Sequence, residues 1–130
     1  EQLRTLSETA YDPAEQPSVQ DFVQANRNFH EAIAKASGSG RLYAMIMQNL
    51  DELQRFFYLG ARLRDVGSET TASHRAIIDA LTAHDAGFAR DVITLHNEET
   101  RKGLLAALTQ QTSSIMQVAV APPPSGTPRP

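Results

Sequence analysis

Histidine is the side chain in this sequence best suited to chemistry near neutral pH, and the chain contains four. Cysteine is absent, which excludes disulfides, thiolate nucleophiles and cysteine metal sites, and is compatible with a cytoplasmic protein. A neutral imidazole nitrogen binds Zn²⁺ or Ni²⁺ well, and amide or carboxylate oxygens can complete such a site. Any metal held by this chain must therefore be bound by His, Asn, Asp or Glu.

Three of the four histidines are predicted to point into the protein. Successive residues of a helix are about 100° apart, so side-chain directions can be compared within each predicted helix. Asn26 and His30, in the segment QANRNFHEAIAKAS, fall on its apolar face, and His74 points the same way as its apolar neighbours. His96 lies on a less strongly apolar face, which also carries small residues. The large apolar residues on these faces are Val19, Phe22, Phe29, Ile33, Ile77, Ile78, Leu81, Val92 and Ile93.

These inward polar side chains need partners. Burying each without one would cost about 1 to 3 kcal/mol, against a net stability of roughly 5 to 15 kcal/mol for a domain. Hydrogen bonds to carbonyls or carboxylates could satisfy them separately, and one shared divalent metal could satisfy them together. Asn26 and His30 are four residues apart and can reach the same ion from one side of a helix. His84 ends a predicted helix, where a partly positive ring is favourable, and is interpreted as structural.

Helices are the elements that must position these residues, because apolar residues recur at spacings of three and four and never alternate cleanly with polar ones. We expect an all-α antiparallel bundle of about five helices, with Ser18 and Asp85 as N-caps of the second and last. The predicted domain covers residues 1–111, and the tail 112–130 is expected to be disordered because it holds five of the seven prolines. The segment EQLRTLSETA is predicted to be the end of a first helix. The other helices are predicted at about 19–36, 41–63, 69–83 and 86–110.

Length and charge narrow the class of protein further. At 130 residues the chain suits a single domain with one core. Its formal net charge of -3 gives no overall basic field, so contact with DNA would need another segment. No apolar run approaches the roughly 18 residues of a membrane span, and the first residues lack the apolar core of a signal peptide. The chain begins at Glu1 and not at Met, which suggests a piece of a longer protein.

Three stretches together resemble a known family: ANRNFHEAIAKASGSG, then SHRAIIDALTAHD, then a last helix carrying LHNEE. Over about residues 1–110 this compound pattern is similar to the FCD ligand-binding domain of GntR-type bacterial transcription regulators, FadR subfamily. The resemblance implies that the metal positions of that family are occupied by Asn26, His30, His74 and His96. The family usually has Asp at the first position, and an amide oxygen binds Zn²⁺ or Ni²⁺ more weakly than a carboxylate does. His84 matches no metal position.

The resemblance also implies partners and a cellular role. A divalent metal, Zn or Ni, would help to bind a small carboxylate effector, and effector binding would regulate DNA binding by a cytoplasmic homodimer. Operator DNA would be contacted only through a winged helix-turn-helix domain that has no counterpart in this chain, and neither membrane binding nor catalysis is implied. Arg55 and Tyr58, on the third predicted helix, are candidate effector contacts. The competing interpretation of these two is that they are solvated side chains.

The residues alone leave two other functions open. Three histidines around a metal with an open position also describe catalytic zinc. Glu99, three residues after His96, is then the candidate general base of a hydrolase, although no H-E-x-x-H or other catalytic signature accompanies it. The second alternative is a purely structural metal or hydrogen-bond cluster inside a helical bundle.

Overall fold

The computed structural model describes the backbone of residues 2–120 and the side chains of residues 2–113. All regular secondary structure in this range is helical, which confirms the predicted all-α fold. Each of the described helices is too short or too polar to span a bilayer. In chain order they are α1 (Gln2–Ser7), α2 (Gln16–Ala36), α3 (Gly40–Leu63), α4 (Gly67–Thr82) and α5 (Ala86–Val120).

The start of α2 differs from the sequence prediction. The helix begins at Gln16, with Glu15 as its N-cap and Pro17 in its first turn, and no side chain caps it. The predicted cap at Ser18 is therefore wrong. Proline is tolerated in the first turn because its missing N–H would have no helical partner there, so the helix can begin before Ser18. The Ser18 hydroxyl instead accepts a hydrogen bond from the N–H of Asp12 at 2.8 Å.

The last helix, α5, starts where it was predicted to start but ends later. Asp85 caps it as expected, since its Oδ1 accepts the N–H of Phe88 at 2.9 Å. The helix continues to Val120, so the predicted end near residue 110 is wrong. Each polar residue between 111 and 120 costs less than about 0.7 kcal/mol relative to alanine in a helix, and no proline interrupts this stretch. The rest of the predicted disordered tail, residues 121–130, lies outside the described residues.

The five helices form a closed ring of neighbours. α1 packs against α2 and α4, α3 packs against α2 and α5, and α4 packs against α5. Two apolar clusters hold the ring together, one at the start of α2 and one towards its end. Their buried members are Val19, Phe22, Val23 and Ala61 in the first cluster, and Phe29, Ile77 and Ile78 in the second.

A network of hydrogen bonds around Tyr11, here called the Tyr11 network, closes the corner between α3 and α4. The hydroxyl of Tyr11 lies 3.0 Å from the carbonyl oxygen of Arg64 and 3.2 Å from that of Ala61, and donates to this pair. The same oxygen accepts the N–H of Val66 at 2.9 Å. The ring stacks on Phe22 with centroids 4.2 Å apart. The loop before α2 is thereby tied to the first apolar cluster.

Candidate metal centre and adjoining cavity

Three histidines from three helices meet in the interior, and we call them the histidine cluster: His30 of α2, His74 of α4 and His96 of α5. One ring nitrogen from each lies within 4.8 Å of the other two. The ring centroids are 5.3 Å apart for His30 and His74, 5.3 Å for His30 and His96, and 5.1 Å for His74 and His96. Nitrogens bound to one tetrahedral ion at about 2.1 Å lie about 3.4 Å apart, so the separations between the three nitrogens would shorten by up to about 1.4 Å when one metal binds them all.

His74 is the most deeply buried member, with 1% of its surface exposed. Its ring is stacked almost parallel on Phe29, at 3.8 Å between centroids and 7° between planes. Both ring nitrogens are buried, and neither has a hydrogen-bond partner in the part of the chain that the structure describes. A buried polar atom without a partner costs about 1 to 3 kcal/mol, so this side chain is unfavourable unless something binds it.

The electrostatics of the cluster keep the imidazoles neutral. Burial, and then the positive charges that His30 and His96 would carry, lower the pKa of His74 to about 2. Burial and the neighbouring His96 lower the pKa of His30 to about 4. Burial also lowers the pKa of His96, against a smaller opposite effect of Glu99. The neutral imidazole is the form that can donate a lone pair to a metal, and the lowered pKa values keep all three rings in this form near pH 7.

His96 has a hydrogen-bond partner that the sequence analysis did not single out. Its Nδ1 lies 2.9 Å from the Oγ of Ser73, and that hydroxyl also lies 3.0 Å from the carbonyl oxygen of Thr70. Ser73 immediately precedes His74 on α4, and this adjacency is the one signal in the sequence that could have drawn attention to it. Contact with His96 depends on how α4 packs against α5.

Asn26, the fourth predicted metal residue, lies one turn before His30 on α2 and is half-buried. Its side chain lines the same cavity as those of His30 and His96. Its amide oxygen can serve as a neutral ligand, weaker than the carboxylate expected at this position. Ligation of a metal by Asn26 stays a prediction.

A cavity of about 550 Å³ adjoins the histidine cluster, enclosed by α2, α3, α5 and the first turns of α4. Its wall is mainly apolar, with side chains such as Phe22, Ile33 and Phe57. Polar residues line it as well, among them Arg64, whose Nη1 lies 2.9 Å from Oε1 of Glu69. Cavities of this size and character are typical binding sites for small molecules.

The two predicted effector contacts lie elsewhere. Arg55 is exposed on α3, with its guanidinium carbon 4.6 Å from the ring centroid of Phe56. Tyr58 packs against the first apolar cluster. Neither residue lines the cavity, whereas Arg64 does. Sequence reasoning missed Arg64 because it follows the last residue of α3, where helical periodicity no longer indicates direction.

His84 and Glu99 take positions outside the cluster. His84 is exposed, with a φ of 54°, and ends α4 with a left-handed residue. Its N–H bonds the carbonyl of Leu81 at 3.2 Å and the next N–H, of Asp85, bonds the carbonyl of Ala80 at 3.1 Å. The backbone of His84 thus closes α4, and the predicted contribution of its ring at the helix end stays a prediction. Glu99 is exposed at the cavity wall.

The fold and the site define a class of protein: an all-helical domain with a small-molecule cavity beside a group of histidines that could hold a metal ion. The sequence model of the FCD domain matches residues 1–99, which is most of the chain. The protein therefore belongs to the FCD family, the regulatory effector-binding domains of GntR-type regulators. No curated protein and no solved structure matched the chain in the corresponding searches.

Proposed function

We propose that this chain is a metal-dependent sensor of small organic acids in a FadR-type regulator. Effector binding here would control operator binding by a winged helix-turn-helix domain outside this chain, in a cytoplasmic homodimer. The observation that carries the proposal is His74, whose two ring nitrogens are buried beside two other imidazoles with no hydrogen-bond partner among the side chains of residues 2–113. A bound cation would remove that cost and would explain why three helices converge there.

The metal would be held by His30, His74 and His96, with Asn26 as the fourth candidate ligand. Imidazole and amide donors suit Zn²⁺ or Ni²⁺, and neither thiolates nor carboxylates are needed. When bound, the ion would supply positive charge at the cavity wall, where it attracts a carboxylate. All four residues lie on helices, so their positions depend on helix packing and not on a mobile loop.

The cavity supplies the rest of the recognition. Its apolar wall fits the carbon skeleton of a small acid, and Arg64 offers two parallel N–H groups to a carboxylate. Glu69 forms an ion pair with that guanidinium, and the side chain of Glu69 is 63% exposed. An anionic effector would compete with Glu69 for Arg64, and the exposed carboxylate would lose little by returning to water.

Binding in this cavity would change helix packing, because its wall draws residues from α2, α3, α4 and α5. A ligand that contacts several helices stabilises one arrangement of the ring over others. Effector affinity and DNA affinity would then be linked reciprocally in the complete regulator.

Metal content and effector binding test this function together. The chain, purified without chelator, is expected to contain about one Zn or Ni per chain. Its melting temperature should rise with a small dicarboxylate or tricarboxylate such as malonate or citrate only when metal is present. His84→Asn is the matched control, since Asn tolerates the left-handed conformation and leaves the cluster intact. Protein that binds no divalent metal, or that binds these acids equally well after removal of the metal, contradicts the proposal.

A further inference from the structure

Ser73 contacts two groups at once, and its hydroxyl has only one hydrogen. The carbonyl oxygen of Thr70, 3.0 Å away, can only accept, so Ser73 donates to it. The Ser73 oxygen then has lone pairs left for His96, whose Nδ1 lies 2.9 Å away. All three groups are satisfied when Nδ1 carries the imidazole hydrogen and donates it to Ser73. A continuous chain of hydrogen bonds then runs from His96 through Ser73 to the backbone of α4.

The opposite tautomer would leave this arrangement incomplete. With its hydrogen on Nε2, His96 would need Ser73 to donate to Nδ1, and the hydroxyl would have to abandon the Thr70 carbonyl. The Nε2 hydrogen would also occupy the one ring nitrogen that Ser73 does not contact. That nitrogen is the one left to share an ion with His30 and His74, whose ring nitrogens approach His96 within 4.8 Å.

We propose that Ser73 is a positioning residue that fixes His96 as the Nδ1-protonated tautomer and leaves Nε2 for a divalent cation. The part concerning the cation rests on the proposed function, whereas the part concerning the tautomer applies to the metal-free protein. Ser73 would act only through His96. Hydrogen-bonded groups that orient a metal-binding histidine in this way contribute about 10-fold to 100-fold to metal affinity.

The chain offers a matched control for Ser73. Ser7 is a buried serine, with 6% of its surface exposed. Its Oγ donates a hydrogen bond to the carbonyl oxygen of Arg4, three residues earlier, at 2.8 Å. Ser7→Ala therefore removes the same kind of backbone bond as Ser73→Ala does, without touching a histidine. Ser73→Thr keeps a hydroxyl at the critical position and serves as the conservative variant.

Cobalt affinity is the first measurement, because Co²⁺ reports its own binding by visible absorption and can be titrated against a chelator. Ser73→Ala is expected to bind Co²⁺ about 10-fold to 100-fold more weakly than the parent, and Ser73→Thr to recover most of the loss. Ser7→Ala should bind as the parent does. Parental affinity in Ser73→Ala, or an equal loss in Ser7→Ala, overturns the proposal.

The tautomer of His96 is the second measurement, and the metal-free parent alone is enough to overturn the proposal. Long-range ¹H–¹⁵N correlation spectra of the metal-free parent should show His96 with its hydrogen on Nδ1, and Ser73→Ala should shift the ring towards the other tautomer. A parent with its hydrogen on Nε2 overturns the proposal. A parent that binds no Co²⁺ contradicts the proposed metal function, and the tautomer then decides the inference on Ser73 alone.

Discussion

Two groups of enclosed polar atoms lie in the same ring of helices, and they are satisfied to very different degrees. In the Tyr11 network the hydroxyl donates towards the carbonyls of Arg64 and Ala61 and accepts the N–H of Val66. In the histidine cluster, both ring nitrogens of His74 are buried without a partner among the described residues. The first group is complete within the fold, whereas the second is not.

This difference separates a structural polar group from a binding site. An unsatisfied buried polar atom costs about 1 to 3 kcal/mol wherever it lies, so a fold keeps one only if the cost is recovered in some other way. The Tyr11 network recovers it through its own backbone bonds and stabilises the α3–α4 corner. The histidine cluster would recover it from a ligand that binds several imidazoles at once, as proposed above.

The largest expected effect is on metal binding, which only the histidine cluster should support. His74→Leu should weaken Zn²⁺ binding by more than about 100-fold, because it removes one of three ligands from the most enclosed position. Competition with a chromophoric chelator measures this affinity. His84→Asn should bind as the parent does, and equal losses in both variants would show that the cluster is not the metal site.

The next largest effect is on stability, and it belongs to the Tyr11 network. Tyr11→Phe removes the hydroxyl and leaves the N–H of Val66 without its acceptor, so the free energy of unfolding should fall by about 1 to 3 kcal/mol. Urea unfolding of the metal-free protein measures it. Tyr43→Phe is the control, because its hydroxyl donates only to a carboxylate oxygen of Glu31 near the surface. A loss no larger than that control would contradict a structural role for Tyr11.

The third effect is a gain in stability, opposite in sign to the loss expected for Tyr11→Phe. In metal-free protein, His74→Leu should raise the free energy of unfolding by about 1 kcal/mol, since an apolar side chain of similar size replaces two polar nitrogens that have no partner in the described part of the chain. The same variant should lose the extra stability that metal gives the parent. Urea unfolding with and without Zn²⁺ tests both statements. Destabilisation of the metal-free variant would mean that His74 is a satisfied core residue.

The smallest effect is a dependence on pH. Burial raises the pKa of Tyr11, so its phenol ionises at a higher pH in the folded than in the unfolded chain. The stability that the neutral phenol contributes is fully present below the ordinary value near 10 and is lost as pH rises through the raised value. The gap in unfolding free energy between parent and Tyr11→Phe should therefore stay constant below about pH 10 and narrow as pH rises above it. A gap that also stays constant above that pH would contradict the assignment.

Sequence periodicity predicted the direction of side chains well within helices and poorly beyond them. Asn26, His30 and His96 line one cavity, and His74 lies in the cluster beside it, because each sits mid-helix where the 100° step applies. Arg64 lies just past a helix end and was missed.

Arg55 and Tyr58 stay a prediction as effector contacts, and their positions show a second limit of sequence reasoning. Both are on a helix that borders the cavity, but neither lines it, because Arg55 is exposed and Tyr58 packs against the first apolar cluster. Their spacing indicates which residues share a face. It does not indicate which face of α3 turns towards the cavity and which towards solvent.

The sequence by itself determined the all-helical class, the inward direction of three histidines and an amide, and the pattern that places the chain in the FCD family. These features depend on residue type and short-range spacing, which helical geometry converts directly into faces. Only the tertiary structure decided that the ring nitrogens of His74 have no hydrogen-bond partner within the described residues, that Ser73 contacts His96, and that Tyr11 reaches Val66. Such contacts join residues far apart in the chain, and they depend on how whole helices pack, which no local pattern records.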